Sequence, residues 1–73
     1  MKYENEEEFM ADLVGRLKDA RLKKGMSLLQ LATRCGTERA RLSEIENNRG
    51  GLTLKRLFNI CEALGIELEI KFN

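Results

Sequence analysis

The chain has 73 residues, enough for one small domain, residues 1–73, and too few for two hydrophobic cores. Apolar residues make up 42% and charged residues 34%, a balance typical of a globular chain rather than a disordered one. The formal net charge is +1, and that total on its own argues against a nucleic-acid-binding protein. No apolar run could span a membrane, and residues 1–4 lack the basic-then-apolar order of a signal peptide, so a cytoplasmic location is expected.

The amino-acid composition argues against an enzyme and against a metal-binding protein. Histidine, the commonest general base and metal ligand, is absent. The two cysteines, Cys35 and Cys61, form no CxxC pair, so we predict small buried thiols and neither a zinc site nor a disulfide. We therefore expect no enzyme activity, no metal and no cofactor.

The first periodic segment predicts an amphipathic helix that begins after Asn5 and ends before Gly25. Asn5 is a suitable N-cap, and the glutamates at 6–8 follow it in the first turn, where the helix dipole favours anions. Two lysines and a glycine then end the helix. The apolar positions recur at intervals of four and three: Phe9, Leu13, Leu17 and Ala20, with Val14 alongside.

Two short helices follow. Ser27 and Gln30 have the spacing of a capping box, which predicts the start of the second helix, and Gly36 ends it. Thr37 is predicted to cap a third helix that runs through Glu46. The turn between the two helices is therefore only a few residues long.

Near the end of the chain the spacing of the apolar residues changes from that of a helix to strict alternation. Thr53 is predicted to cap a fourth helix that ends at Gly65, and beyond it apolar and charged residues alternate, which predicts a β-strand over 66–72. A single strand needs a ladder partner, and three readings remain open: a second copy of the chain, a short strand around residues 2–3, or a frayed tail. We favour antiparallel pairing of two copies about a two-fold axis, with these residues as the dimer contact: Ile66, Leu68, Ile70 and Phe72.

The net charge conceals an uneven distribution along the chain. Residues 1–14 carry one cation and five anions, whereas residues 15–50 carry nine cations and four anions. Residues 51–73 are balanced, with three of each. The middle of the chain is thus a basic segment with net charge +5, preceded by an acidic one with net charge −4.

Residues 27–46 have the spacing of a helix-turn-helix, since two short helices are joined by a tight turn at 35–37. Leu42 and Ile45 are predicted to attach the second of them to the core. In this motif the second helix lies in the DNA major groove, and its N-terminal residues contact base edges. The face opposite the two anchors carries Ala40, Ser43, Glu44 and Asn47, flanked by Arg39 and Arg41.

Several short motifs occur in a fixed order. They are Arg-Leu-Lys-Asp-Ala-Arg at 16–21, Gly-Met-Ser at 25–27, Leu31-Ala32, Gly36, Leu-Ser-Glu-Ile-Glu-Asn at 42–47, Leu54 and Ala-Leu-Gly at 63–65. In this combination residues 17–68 resemble the phage repressor/Cro-type (Xre) helix-turn-helix family. The resemblance implies an all-α fold, a compact four- to five-helix repressor-like DNA-binding domain, here with a single C-terminal β-strand. It also implies a homodimer that binds a palindromic operator in double-stranded DNA.

A narrower resemblance concerns the second half of the chain. Glu46-Asn47-Asn48, followed by a helix from Thr53-Leu54 and a terminal strand, is most similar to HipB-type antitoxins. Such antitoxins repress their own operon, bind a HipA-type kinase toxin and pair their terminal strands across a dimer. The resemblance therefore implies an autoregulating antitoxin as a specific form of repressor.

The resemblance also assigns roles on and after the third helix. Arg39 and Ala40 match base-facing positions, where arginine can bind guanine and a methyl group can contact thymine. Glu38 matches another such position and could accept from a cytosine amino group. Ser43 and Glu44 match positions at the groove, with Ser43 expected to contact a phosphate, and Asn47 and Arg49 match the loop that contacts the DNA backbone. Arg41, which flanks the same helical face, is a further candidate for groove contact.

Two further positions follow from the same comparison. Arg21 and Glu46 match a partly buried ion pair that ties the first helix to the third, which is a structural role. Leu28 departs from the family, which often has a glutamine there that binds a phosphate.

Two functions from different classes remain. The first is a dimeric, sequence-specific transcriptional repressor acting at the nucleoid. The alternative is a protein-interaction module that neutralises a HipA-type toxin kinase, with DNA binding secondary.

Overall fold

The computed structural model describes residues 2–73, so Met1, part of the segment from which a cytoplasmic location was predicted, lies outside the described residues. Four helices form: α1 (Glu6–Lys23), α2 (Leu28–Cys35), α3 (Arg39–Glu46) and α4 (Leu54–Leu64). α1 and α2 each pack against both α3 and α4. The all-helical class is confirmed, and residues 2–73 contain no fifth helix. None of these helices is long and apolar enough to cross a membrane.

Side-chain caps set three of the four helix starts, as predicted. The Asn5 side chain accepts a hydrogen bond of 2.8 Å from a backbone N–H in the first turn of α1. Ser27 and Gln30 form both halves of a capping box at the start of α2. The Thr53 hydroxyl accepts from the backbone of α4 at 3.1 Å. These starts are predictable because each depends on residues at most three positions apart.

The start of α3 differs from the prediction. Thr37 is not its N-cap; Glu38 occupies that position, without a side-chain capping bond. The reason is that the Thr37 N–H donates to the Ala32 carbonyl at 3.0 Å and thereby completes the end of α2. Gly36 makes this closure feasible, because its φ of +68° is a left-handed conformation that suits glycine. α3 consequently begins at Arg39.

The predicted C-terminal β-strand is wrong: residues 66–73 form no strand in the chain. A strand needs a ladder partner, and the described N-terminal residues 2–5 form no strand either. Ile66 is half-buried and packs against the core, with its N–H donating to Cys61 O at 3.1 Å. The three apolar residues beyond it are exposed: Leu68, Ile70 and Phe72.

The core joins the two short helices to the two longer ones. Leu31 of α2 and Leu42 of α3 are its most buried large side chains, at 2% and 1% exposure. An eight-residue helix is marginal by itself in water, so α3 depends on this burial for its stability and its position. The other buried apolar residues are Val14, Leu17, Met26, Ala32, Ile45, Leu57, Ile60, Cys61 and Leu64.

Arg21 and Glu46, the two residues expected to pair, link α1 to the last turn of α3. Arg21 Nε donates to Glu46 Oε2 at 2.7 Å, and Nη2 donates to Oε1 at 3.0 Å, which is a bidentate arrangement. A third donor, Nη1, reaches the Met26 carbonyl at 2.9 Å. The two side chains are only 11% and 9% exposed. The pair therefore fixes α3 relative to α1 and to the start of the α2 segment.

Replacing Glu46 by alanine should leave the Arg21 guanidinium poorly solvated and without its anion. We expect a loss of about 3 kcal/mol in the free energy of unfolding, measured by urea denaturation, because one partner of a buried pair is removed. Glu44→Ala is the matched control, since Glu44 is exposed on the same helix and should change stability by less than about 0.5 kcal/mol. Equal effects of the two substitutions would contradict this account of α3.

Candidate nucleic-acid interface

α3 has one buried side and one exposed side. Leu42 and Ile45 face the core, and Ala40 and Asn47 lie on the opposite side of the helix. The turn that precedes α3 is held by the end of α2, so the two helices present this surface as one unit. Of the eight predicted interface residues, Ser43 is half-buried. The other seven are exposed: Glu38, Arg39, Ala40, Arg41, Glu44, Asn47 and Arg49.

Arg39, the first residue of α3, is the cation best placed for contact with a ligand on this surface. It is exposed, and its guanidinium forms no ion pair or hydrogen bond with any part of the chain that the structure describes. All five of its N–H donors are therefore available, in the planar arrangement that matches guanine O6 and N7. Ala40 beside it adds a methyl group and no bulk. This pair lies at the N-terminal end of the helix, where helix-turn-helix proteins contact bases.

Asn47 and Ser43 are bonded to each other at the other end of α3. The Asn47 side-chain amide donates to the Ser43 carbonyl at 2.8 Å and lies 3.3 Å from its hydroxyl oxygen. At least one of the two amide N–H groups is thus used to close the helix. Since a phosphate only accepts hydrogen bonds, Asn47 has less to offer it than a free arginine has.

The turn after α3 positions Arg49. Asn48 adopts a φ of +57°, a left-handed conformation that asparagine tolerates better than most residues. The Arg49 N–H then donates to the Glu44 carbonyl at 2.8 Å. This bond fixes the backbone, while the exposed Arg49 side chain has no partner among residues 2–73. The geometry suits a cation that contacts the DNA backbone.

Arg41 lies on a different flank of α3 from Arg39. It lines a cleft of about 350 Å³ between the α2–α3 turn and the N-terminal half of α4. We refer to it as the basic cleft, because Lys55 and Arg56 line it too. Sequence reasoning missed these two residues, although a signal was present: both lie in the first turn of α4, where the helix dipole disfavours cations. The full lining is Cys35, Gly36, Thr37, Arg41, Leu42, Ile45, Thr53, Lys55, Arg56, Asn59 and Ile60.

Leu28, at the start of α2, gives no polar contact. Its side chain is half-buried and packs against the core. The side-chain oxygen of Gln30, the nearest glutamine, accepts a hydrogen bond of 2.8 Å from the Ser27 N–H. The phosphate contact that a glutamine makes at this position in the family therefore has no equivalent side chain here.

Acidic residues at the start of the chain lie in the first turn of α1. The Tyr3 hydroxyl donates to the Asp12 carboxylate, and the Tyr3 and Phe9 rings lie 5.2 Å apart. The hydrogen bond from Tyr3 holds the pKa of Asp12 below its usual value. Glu46 is in turn neutralised by Arg21. The exposed charges over residues 38–49 are thus three arginines and two glutamates.

The two thiols show no sign of activation. Burial raises the pKa of both Cys35 and Cys61, which keeps them protonated at neutral pH. The Cys35 sulfur lies 3.9 Å from the Asn59 carbonyl oxygen. Within residues 2–73, no three acidic or cysteine side chains come together as a metal site.

Comparison with known proteins identifies the motif. The sequence model of the family described as Helix-turn-helix matches residues 17–71, which is 55 of the 73 residues. Searches of curated proteins and of solved structures gave no match. The matched region contains α2, the tight turn and α3 with its two exposed arginines. The chain therefore belongs to the helix-turn-helix family of DNA-binding transcription regulators.

Proposed function

We propose that the protein is a sequence-specific transcriptional repressor that binds a palindromic operator as a homodimer. The observation that carries this proposal is the exposed face of α3, where Arg39 has no partner within the described chain. Family membership supports DNA binding, and the position of Arg39 at the start of α3 supports direct contact with bases. Repression then follows from occupancy of the operator at the nucleoid.

Seven of the eight interface residues have a task in this proposal, and the eighth, Arg41, lies on another flank of α3. Arg39 binds a guanine through two parallel hydrogen bonds, and Ala40 packs against a thymine methyl. Glu38 and Glu44 repel phosphates, so they disfavour sequences that would bring the DNA backbone close to them, and Glu38 can accept from a cytosine. Ser43, Asn47 and Arg49 contact the backbone and set the register of the helix in the groove.

Arg39→Ala should weaken binding to the preferred duplex by about 1–3 kcal/mol, because one bidentate base contact is lost. The measurement is fluorescence anisotropy at physiological salt, with duplexes selected from a random library and a scrambled duplex for comparison. Discrimination between the two duplexes should fall together with affinity. Lys18→Ala, an exposed cation on α1, is the control and should retain discrimination. Equal affinity of the unaltered protein for both duplexes would refute sequence specificity.

The dimer in this proposal uses the apolar residues of the C-terminal segment. Leu68, Ile70 and Phe72 are exposed, the last at 96%, and Ile66 anchors the segment to the core. Exposed apolar residues in such number are unusual for a monomer of this size and mark a protein contact. To bind adjacent half-sites, such a dimer must hold its two α3 helices about 34 Å apart, the repeat of one DNA turn.

The double substitution Leu68→Ser, Ile70→Ser should raise the dimer dissociation constant at least tenfold, since each lost side chain removes about 1.5–3 kcal/mol of apolar burial. Sedimentation equilibrium measures the constant directly. Glu67→Ser, Glu69→Ser alters the same segment at its charged positions and serves as the matched control. A dimer unaffected by the first pair of substitutions would rule out this contact.

A second candidate function is neutralisation of a HipA-type kinase toxin. It is favoured by Leu54 and Phe58, two apolar residues one turn apart on α4 that are 84% and 62% exposed and lie outside the C-terminal segment. We expect the product of an adjacent gene to co-purify with the protein, and Arg39→Ala to keep this partner while binding the preferred duplex more weakly. Loss of co-purification with Phe58→Ser, but not with Phe72→Ser, would place the partner on α4. The absence of any such partner would leave repression as the only function.

A further inference from the structure

The basic cleft combines charge and shape in a way that the DNA-facing surface of α3 does not explain. Three cations line it, Arg41 from α3 and Lys55 and Arg56 from α4, and none of its eleven lining residues is acidic. Arg41 and Lys55 are exposed and pair with no carboxylate in residues 2–73. Three like charges around one concavity repel one another unless an anion lies between them.

The position of two of these cations on α4 is a second, independent sign that the basic cleft lacks an anion. Lys55 and Arg56 occupy the first turn of α4, and that turn has no acidic residue. Cations in this position are unfavourable, because the N-terminal end of a helix carries partial positive charge. α4 is instead stabilised by its Thr53 cap and its buried apolar face. The first turn of α4 therefore carries two cations at a position where an acidic residue would stabilise the helix better.

The walls of the cleft are held in place. Arg56 Nη1 donates to the Gly51 carbonyl at 2.7 Å, which orients its guanidinium and leaves its other N–H groups free. The floor is formed by Leu42, Ile45 and Ile60, all buried in the core. Thr37 and Thr53 also belong to the lining. A volume of about 350 Å³ is within the range of small-ligand sites.

We propose that the basic cleft binds a phosphate group through Arg41, Lys55 and Arg56. Phosphate fits because it accepts several hydrogen bonds and carries a negative charge that would neutralise the three cations. The group belongs either to the DNA backbone beside the operator groove or to a free phosphorylated compound. The DNA case rests on the proposed function, whereas binding of a free phosphate does not.

The first test uses sodium pyrophosphate as the probe and the ¹⁵N-labelled full chain at low ionic strength. We expect saturable amide shifts at residues 37, 41 and 53–56. Lys55→Gln and Arg41→Gln should each weaken pyrophosphate binding about tenfold, because each removes a charge-assisted hydrogen bond. Lys18→Gln removes the same charge from an exposed position outside the cleft and should leave the affinity within about twofold. The absence of saturable shifts, or an equal loss with Lys18→Gln, would overturn the proposal.

The second test identifies the source of the phosphate. If DNA supplies it, Lys55→Gln should reduce the slope of log affinity against log salt for the preferred duplex by about 0.9, the effect of one lost phosphate contact. If a free compound supplies it, pyrophosphate binding persists and the slope is unchanged. Failure of the protein to bind any duplex, with intact pyrophosphate binding, would refute the proposed function and leave the cleft assignment standing. Absence of pyrophosphate binding, with intact binding of the preferred duplex, would refute the cleft assignment and leave the proposed function standing.

Discussion

The bidentate ion pair between Arg21 and Glu46 fixes the one element on which the function depends. α3 is only eight residues long and would not persist alone, so its position is set by tertiary contacts. Leu42 and Ile45 hold its inner side, and Glu46 holds its last turn at 2.7 Å from Arg21. Because Arg21 also binds the Met26 carbonyl, one side chain links α1, the start of α2 and the end of α3. A change in this link would displace the exposed residues of α3 together.

α3 presents two different chemical environments on its two flanks. Arg39 projects from the exposed face with Ala40 beside it, which suits the reading of base edges. Arg41 faces α4 and shares the basic cleft with Lys55 and Arg56, which suits a phosphate. One helix can thus combine discrimination between sequences with attachment to a charged group. The net charge of +1 conceals this arrangement, because most of the anions that balance it lie on α1 and the C-terminal segment.

Helix starts and ends could be predicted from the sequence, because they depend on residues that are close together along the chain. The caps at Asn5, Ser27 and Thr53 and the glycines that end α2 and α4 all operate over a few positions, and the helices begin and end there. Thr37 was predicted wrongly, because its N–H is used by the end of α2 and periodicity does not reveal that competition. The strand over 66–72 failed for a related reason: alternation shows a preference, but only a paired neighbour makes a strand. The basic cleft was missed because positions 41 and 55 become neighbours only through the packing of α3 near α4.

Amide chemical-shift mapping with a selected duplex shows whether the exposed face of α3 contacts DNA. We expect the largest changes at residues 38–44 and 47–49, and little change in the acidic first turn of α1 at residues 6–8. Changes concentrated on α1 or on residues 66–73, with α3 unaffected, would contradict this contact.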